Sequence, residues 1–249
     1  MSVVQKIDDL GIGNKSHAAG AFPSSILKRL EELMPTEMKA TAETGCGKST
    51  ILFSNLSAHH TVFCIDDTKE GENSSINFFK KCPLTKSKRI EMVIGPTQAT
   101  LPNYNKFRTY DAVLIDGPHG FPFPELEYYY FYPHLKEGSV LIVDDVHIAT
   151  IGRLADFINE DPMFELVELV SMTAVFRRTG APAFDPFGDG WWLQDFNRRR
   201  IPADNEYLKQ YRLDDGKLKR SFSDLASPSH RFQSTRQNKK RGFFWQFFE

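Results

Sequence analysis

Three aspartates carry the strongest chemical signal in this 249-residue chain. Asp116 closes the apolar run YDAVLID, and Asp144 and Asp145 close the run GSVLIVDD. The near-continuous hydrophobicity of both runs suits central parallel strands covered on both faces, and a parallel sheet brings their ends to one rim. Carboxylates crowded at one rim repel one another unless a cation lies between them. Their oxygens suit magnesium, calcium or manganese; the plainer use of the same side chains is hydrogen bonding at strand ends. His119 lies three residues beyond Asp116 in DGPHG, on the loop leaving the same strand end, and His147 follows the aspartate pair.

Residues 42–50, AETGCGKST, form a second constellation that reads in two ways. Gly47, Lys48 and Ser49 match the end of a P-loop, with Lys48 for phosphates and a hydroxyl for magnesium, although Ala42 stands where that pattern needs its first glycine. A nucleotide hydrolase therefore remains open. In the other reading, Gly45 and Gly47 let backbone approach a nucleoside cofactor between a strand and a helix. Asp66, 21 residues past Gly45 at the end of the next apolar run, then accepts hydrogen bonds from ribose hydroxyls, with Asp67 as its neighbour and substitute. Cys46 sits in the loop without a partnered histidine and reads as a small buried side chain.

These residues need a scaffold, and the hydrophobic pattern supplies one. Pro23 fits a first helical turn, and Ile26, Leu30 and Leu33 then share a helix face. From about residue 38 the runs MKATAET, HTVFCIDD, RIEMVIG, YDAVLIDG, GSVLIVDD and FELVELVSMTAVFRR read as strands, the last split by a turn near Ser171 and Met172. KSTILFSNLSA and ELEYYYFYPHL read as crossover helices, and LADFINEDP as a short one. His59 and His60, just before a strand, read as surface residues. The result is an α/β sheet, divided into an N-terminal helical lead (1–35), a main domain (36–179), an irregular aromatic-rich extension (180–216) and a tail (217–249).

The formal charge of -1 conceals a polarity: the tail holds eight Lys or Arg against two Asp or Glu, and its GFFWQFFE ending follows KKR. The overall balance excludes a uniformly basic nucleic-acid binder, and an aromatic arm folding onto its own domain or a twofold mate is the expected use of the tail. Trp191 and Trp192 read as packing or as a substrate cover, and the Tyr128–Tyr132 cluster as helix packing. No apolar run approaches the roughly 20 residues a bilayer needs. The three cysteines, Cys46, Cys64 and Cys82, suit a reducing compartment, so cytoplasmic residence is expected.

In their order and spacing, ETGCGKST, CIDD, MVIGPTQATLP, YDAVLIDGPHG and GSVLIVDDVH resemble a class I S-adenosylmethionine-dependent methyltransferase. Within that class the likeness is to metal-dependent small-molecule O-methyltransferases, especially those acting on antibiotic sugars, and it covers about 36–179. The resemblance implies a Rossmann-like seven-stranded sheet with helices on both faces and one antiparallel strand near the end. It places Glu43, Gly45 and Gly47 beside the methionine part of the cofactor, Asp66 at its ribose, and Thr97 and Gln98 near its adenine. It implies a magnesium-type ion on Asp116, Asp144 and Asp145, His119 as general base, and a small hydroxylated acceptor, either a sugar or a vicinal-diol or catechol-like molecule. Lys48 departs from the small residue usual at its position. A cofactor-binding interaction protein without turnover is a further alternative, and a homo-oligomer through the aromatic extension is expected.

Overall fold

The computed structural model describes residues 2–11, 22–216 and 222. Seven strands form one sheet in the order β3-β2-β1-β4-β5-β7-β6. They are β1 (Met38–Thr44), β2 (Ser57–Cys64), β3 (Ile90–Ile94), β4 (Tyr110–Ile115), β5 (Leu135–Val143), β6 (Phe164–Val170) and β7 (Thr173–Arg178). The first five pair in parallel, and β7 lies antiparallel between β5 and β6. The β6–β7 hairpin turns where the sequence places it, at Ser171 with φ 59°.

Alternation along β4 explains why both faces are covered. Ala112 and Leu114 pack with Leu52 and Phe53 and with Ile26, Leu27 and Leu30. Val113 and Ile115 face the opposite way, into a core with Leu101, Phe131, Leu154 and Phe176. The first face carries α1 (Val3–Asp9), α2 (Ser24–Leu33), α3 (Lys48–Leu56) and α4 (Ser75–Lys81); the second carries α5 (Thr97–Asn103), α6 (Phe123–Phe131) and α7 (Ala149–Glu160). Such two-sided burial is what makes the strand sequences read as unbroken apolar runs.

Two expectations change. The short helix at LADFINEDP is the end of the 12-residue α7, which begins at Ala149. His60 is fully buried and not on the surface, because β2 begins at Ser57, three residues earlier than its apolar core suggests. Residues 180–216 hold only the short helix α8 (Asp195–Arg199) and two 3-10 turns, at Trp191–Leu193 and Lys209–Tyr211. Trp191 and Trp192 pack on Tyr211, with ring centroids at 5.4 and 6.1 Å. Of the tail, only Phe222 lies among the described residues; its ring meets Phe176 and its N–H donates to Asp156 Oδ1 on α7. No helix among the described residues is long and apolar enough to cross a membrane.

Candidate active site

The strand order reverses direction between β1 and β4, and in open α/β sheets ligands bind in the crevice beyond the carboxyl ends at that point. Thr44 closes β1 and Asp116 follows β4 there. Gly45 leaves β1 with φ +84°, and a Cβ on it would lie 2.4 Å from the Asp116 carbonyl oxygen. Only glycine lets the two strand ends approach this closely. Gly45→Ala is therefore expected to weaken cofactor affinity at least tenfold and to destabilise the fold by about 1–3 kcal/mol, measured by calorimetric titration and denaturant melts.

The buried polar atoms around this crevice are consistent with a cofactor there. Glu43 is fully buried; its Oε1 accepts from the Thr50 hydroxyl and meets His60 Nε2 at 3.1 Å, while its Oε2 has no partner. Thr50 Oγ1 in turn accepts the Gly47 N–H at 2.9 Å, which fixes the start of α3. The Thr97 hydroxyl, at the start of α5, is buried beside the Glu127 carboxyl, and Gln98 next to it is exposed. A buried polar group without a partner is costly, and a cofactor meeting Glu43 Oε2 accounts for it. Asp66 is exposed and accepts two bonds from Thr68, both on Oδ1, which hold its carboxyl below the usual range. Asp67 instead caps α4: its oxygens take Ser74 Oγ and the backbone N–H groups of Ser75 and Ile76. Of the two candidates for a ribose, Asp66 is the one turned outward.

Cys46 and Lys48 are placed by packing. A hydrogen bond with Cys64, then burial, pushes the Cys46 thiol above its ordinary range, so it stays protonated. Lys48 is buried, with its Nζ 3.4 Å from the Phe22 carbonyl oxygen and Asp8 supporting its charge against desolvation. It reaches back to the N-terminal segment, which removes the basis of the P-loop reading.

At the rim, the aspartates divide. Asp116, His119 and Asp145 each offer one ligand atom, all within 4.8 Å of one another. His119 Nε2 lies 3.4 Å from Asp145 Oδ2 and 4.0 Å from Asp116 Oδ1, and His147 Nδ1 lies 3.6 Å from Asp145 Oδ1. Asp144 stands outside this group and accepts a hydrogen bond from the Thr173 hydroxyl. The difference is one of backbone: Asp145 adopts φ 56°, a left-handed conformation that aspartate tolerates better than most residues and that breaks the strand alternation carried by Asp144. Burial first, then repulsion from Asp145, Glu43 and Glu127, raises the Asp116 carboxyl well above its ordinary range. Burial and the charges of Asp116 and Asp145 raise Asp144 likewise. Two carboxylates converging in a negative field are oxygen donors that fit a divalent cation, and the imidazole beside them is placed to act as a base or as a further ligand.

Sequence reasoning missed Glu127. This fully buried carboxyl on α6 accepts from the Thr44 hydroxyl at 2.7 Å, and Thr44 Oγ1 accepts the Asp116 N–H at 3.0 Å. Gly117 leaves room for it, since a Cβ there would lie 2.1 Å from Glu127 Oε1. Burial pushes Glu127 up to about 7, against the Thr44 and Thr97 hydroxyls and the nearby His119. The available signal was its position: Pro124, Glu127, Tyr128 and Phe131 share the buried helix face, an acidic residue within an apolar stripe.

Residues 42–146 match the family described as a methyltransferase domain. Over that stretch, which is less than half of the chain, the sequence is similar to methyltransferase domains, and the sheet has the Rossmann-like methyltransferase fold. The match spans the strands and loops that build the crevice, from β1 to the residue after Asp145. The fold is shared with a protein assigned as a caffeoyl-CoA O-methyltransferase from Staphylococcus aureus (14% identity, TM-score 0.53, 72% of this chain and 93% of that one). It is shared also with the O-methyltransferase TomG from Streptomyces achromogenes, involved in tomaymycin synthesis and solved with S-adenosylmethionine (14%, 0.51, 72% and 88%). A third likeness is the Bacillus cereus O-methyltransferase in complex with S-adenosylhomocysteine (15%, 0.50, 71% and 90%). No curated protein matches the sequence.

Proposed function

We propose that the protein is an O-methyltransferase that acts on a small hydroxylated acceptor, a sugar or a vicinal-diol or catechol-like molecule, with the help of a divalent cation of the magnesium type. The observation that carries this reading is the convergence of Asp116, Asp145 and His119 directly across Gly45 from the cofactor crevice. Glu43, Gly45, Gly47, Thr97 and Gln98 would hold the methionine and adenine parts of S-adenosylmethionine, and Asp66 its ribose; bound there, the cofactor supplies an electrophilic methyl group. Asp116 and Asp145 would hold the cation, with Asp144 supporting the field from behind; bound there, it supplies Lewis acidity that lowers the pKa of a coordinated hydroxyl.

The chain's own residues then orient and deprotonate. The rim fixes the acceptor oxygen near the cofactor crevice, which removes much of the entropic barrier to displacement. His119, half-exposed at the mouth, accepts the hydroxyl proton at Nε2, and Asp145 steadies the resulting imidazolium. His147, on the far side of Asp145, is the second candidate for that proton.

The test is calorimetric titration of S-adenosylmethionine and, separately, of ATP into the wild type and Lys48→Met. Saturable binding of S-adenosylmethionine by both proteins and no binding of ATP is expected; ATP binding that depends on Lys48 would overturn the reading. A second copy of the chain is proposed as the partner of the extension, where Phe187 and Tyr207 are about nine-tenths exposed, with sedimentation velocity as the check. Cytoplasmic residence is proposed on the three free cysteines.

A further inference from the structure

A cavity of about 370 Å³ lies outside the cofactor crevice, between α6, α7 and the extension. Its size falls in the range of small-molecule sites. Phe121, Tyr128, Phe157, Phe184 and Phe196 give it aromatic walls. The extension is held over it by hydrogen bonds from Tyr132 to the Phe184 carbonyl at 3.0 Å and from Tyr129 to the Pro186 carbonyl at 3.4 Å.

Two features mark the cavity as a site for a ligand and not a packing defect. Its wall includes two residues that each carry a buried oxygen without a partner: Glu125, at Oε2, and Tyr128, at its hydroxyl, the latter residue only 6% exposed. An apolar void needs neither, and leaving them unpaired costs stability. The cavity also begins beside the reacting rim. Phe121 is two residues beyond His119, and Thr150 donates to the His119 carbonyl oxygen from the first turn of α7, one turn above Arg153 in the cavity wall. One helical turn is about 5.4 Å, less than the length of a two-ring molecule.

We propose that this cavity seats the apolar body of the acceptor, an aromatic ring system carrying a hydroxyl or amino donor that meets Glu125 and Tyr128, while the acceptor's reacting hydroxyls lie at the rim. The proposal rests on the methyltransferase reading for the word acceptor, but the cavity can be tested without turnover. Aromatic walls favour a flat ligand, and the unpaired carboxylate oxygen favours a donor over an anion.

The test uses the full chain and N-phenyl-1-naphthylamine, a neutral aromatic probe with one N–H donor whose fluorescence rises in apolar sites. One saturable site is expected. Asn197→Trp and Gln194→Trp, which fill the cavity from the extension, should each weaken the probe at least tenfold, and Glu125→Leu should weaken it several-fold. As competitors, 3,4-dihydroxybiphenyl should displace the probe at a concentration at least tenfold lower than catechol, because only the former buries a second ring. Absence of saturable binding, which would include occupation of the cavity by the chain's own tail, overturns the proposal. So does binding that ignores both tryptophans, or equal displacement by the two diols. Calorimetry with S-adenosylmethionine on the same samples keeps the two readings apart: its failure removes the methyltransferase assignment, whereas the probe reports on the cavity alone.

Discussion

Asp116→Asn and Asp145→Asn are each expected to lower methyl transfer by about 10²–10³-fold, the range found when a charge-stabilising group is removed from an active site, while S-adenosylmethionine binding stays within a few-fold of wild type. The two substitutions keep shape and hydrogen-bonding capacity but remove the charge that would hold a cation. Asp144→Asn should cost less, because Asp144 is turned towards Thr173 and keeps that bond as an amide. Turnover with radiolabelled cofactor, measured beside cofactor affinity, separates a rim defect from a crevice defect. Equal losses at all three positions would mean that the pairing of Asp144 with Thr173 does not last through the reaction.

The second large effect is on stability. The Glu127 carboxyl is pushed up to about 7 from an ordinary 4.5, so between those values the folded chain holds a proton that the unfolded chain has released. Protonated Glu127 favours the fold at low pH, and that advantage is lost as pH rises through about 4.5 to 7. The linkage amounts to about 3 kcal/mol. Asp116 and Asp144 are shifted in the same direction and add to the loss. Glu127→Gln keeps an acceptor for Thr44 but cannot titrate, so its denaturant stability should fall less than that of the wild type between pH 5 and 8. Parallel curves for the two proteins would show that Glu127 is ionised at no such cost.

Much of the scaffold was legible because both faces of the sheet are covered. Two-sided burial turns strands into unbroken apolar runs, and the runs ending in Asp116 and in Asp144 and Asp145 therefore announced both the strands and their chemically loaded ends. The hairpin at Ser171 was legible for the same reason, as one run too long for a single strand. What failed depended on three-dimensional context. His60 looks like a polar lead-in, yet Thr41 Oγ1 at 2.9 Å and Glu43 satisfy its ring inside the core. Asp144 and Asp145 are identical letters, and only the left-handed backbone of the second separates one that joins His119 from one that joins Thr173. Glu127 was hidden among aromatics, and its partner Thr44 lies 83 residues away. The cavity could not be read either, since its roof comes from an extension with almost no regular structure.

The rim's capacity to hold a cation beside the cofactor crevice is directly measurable. Electron paramagnetic resonance of manganese titrated into the purified full chain measures this without knowledge of the acceptor. One saturable site is predicted, lost in Asp116→Asn and in Asp145→Asn and retained in Asp144→Asn. No saturable site in the wild type, or a site that survives both substitutions, would contradict it.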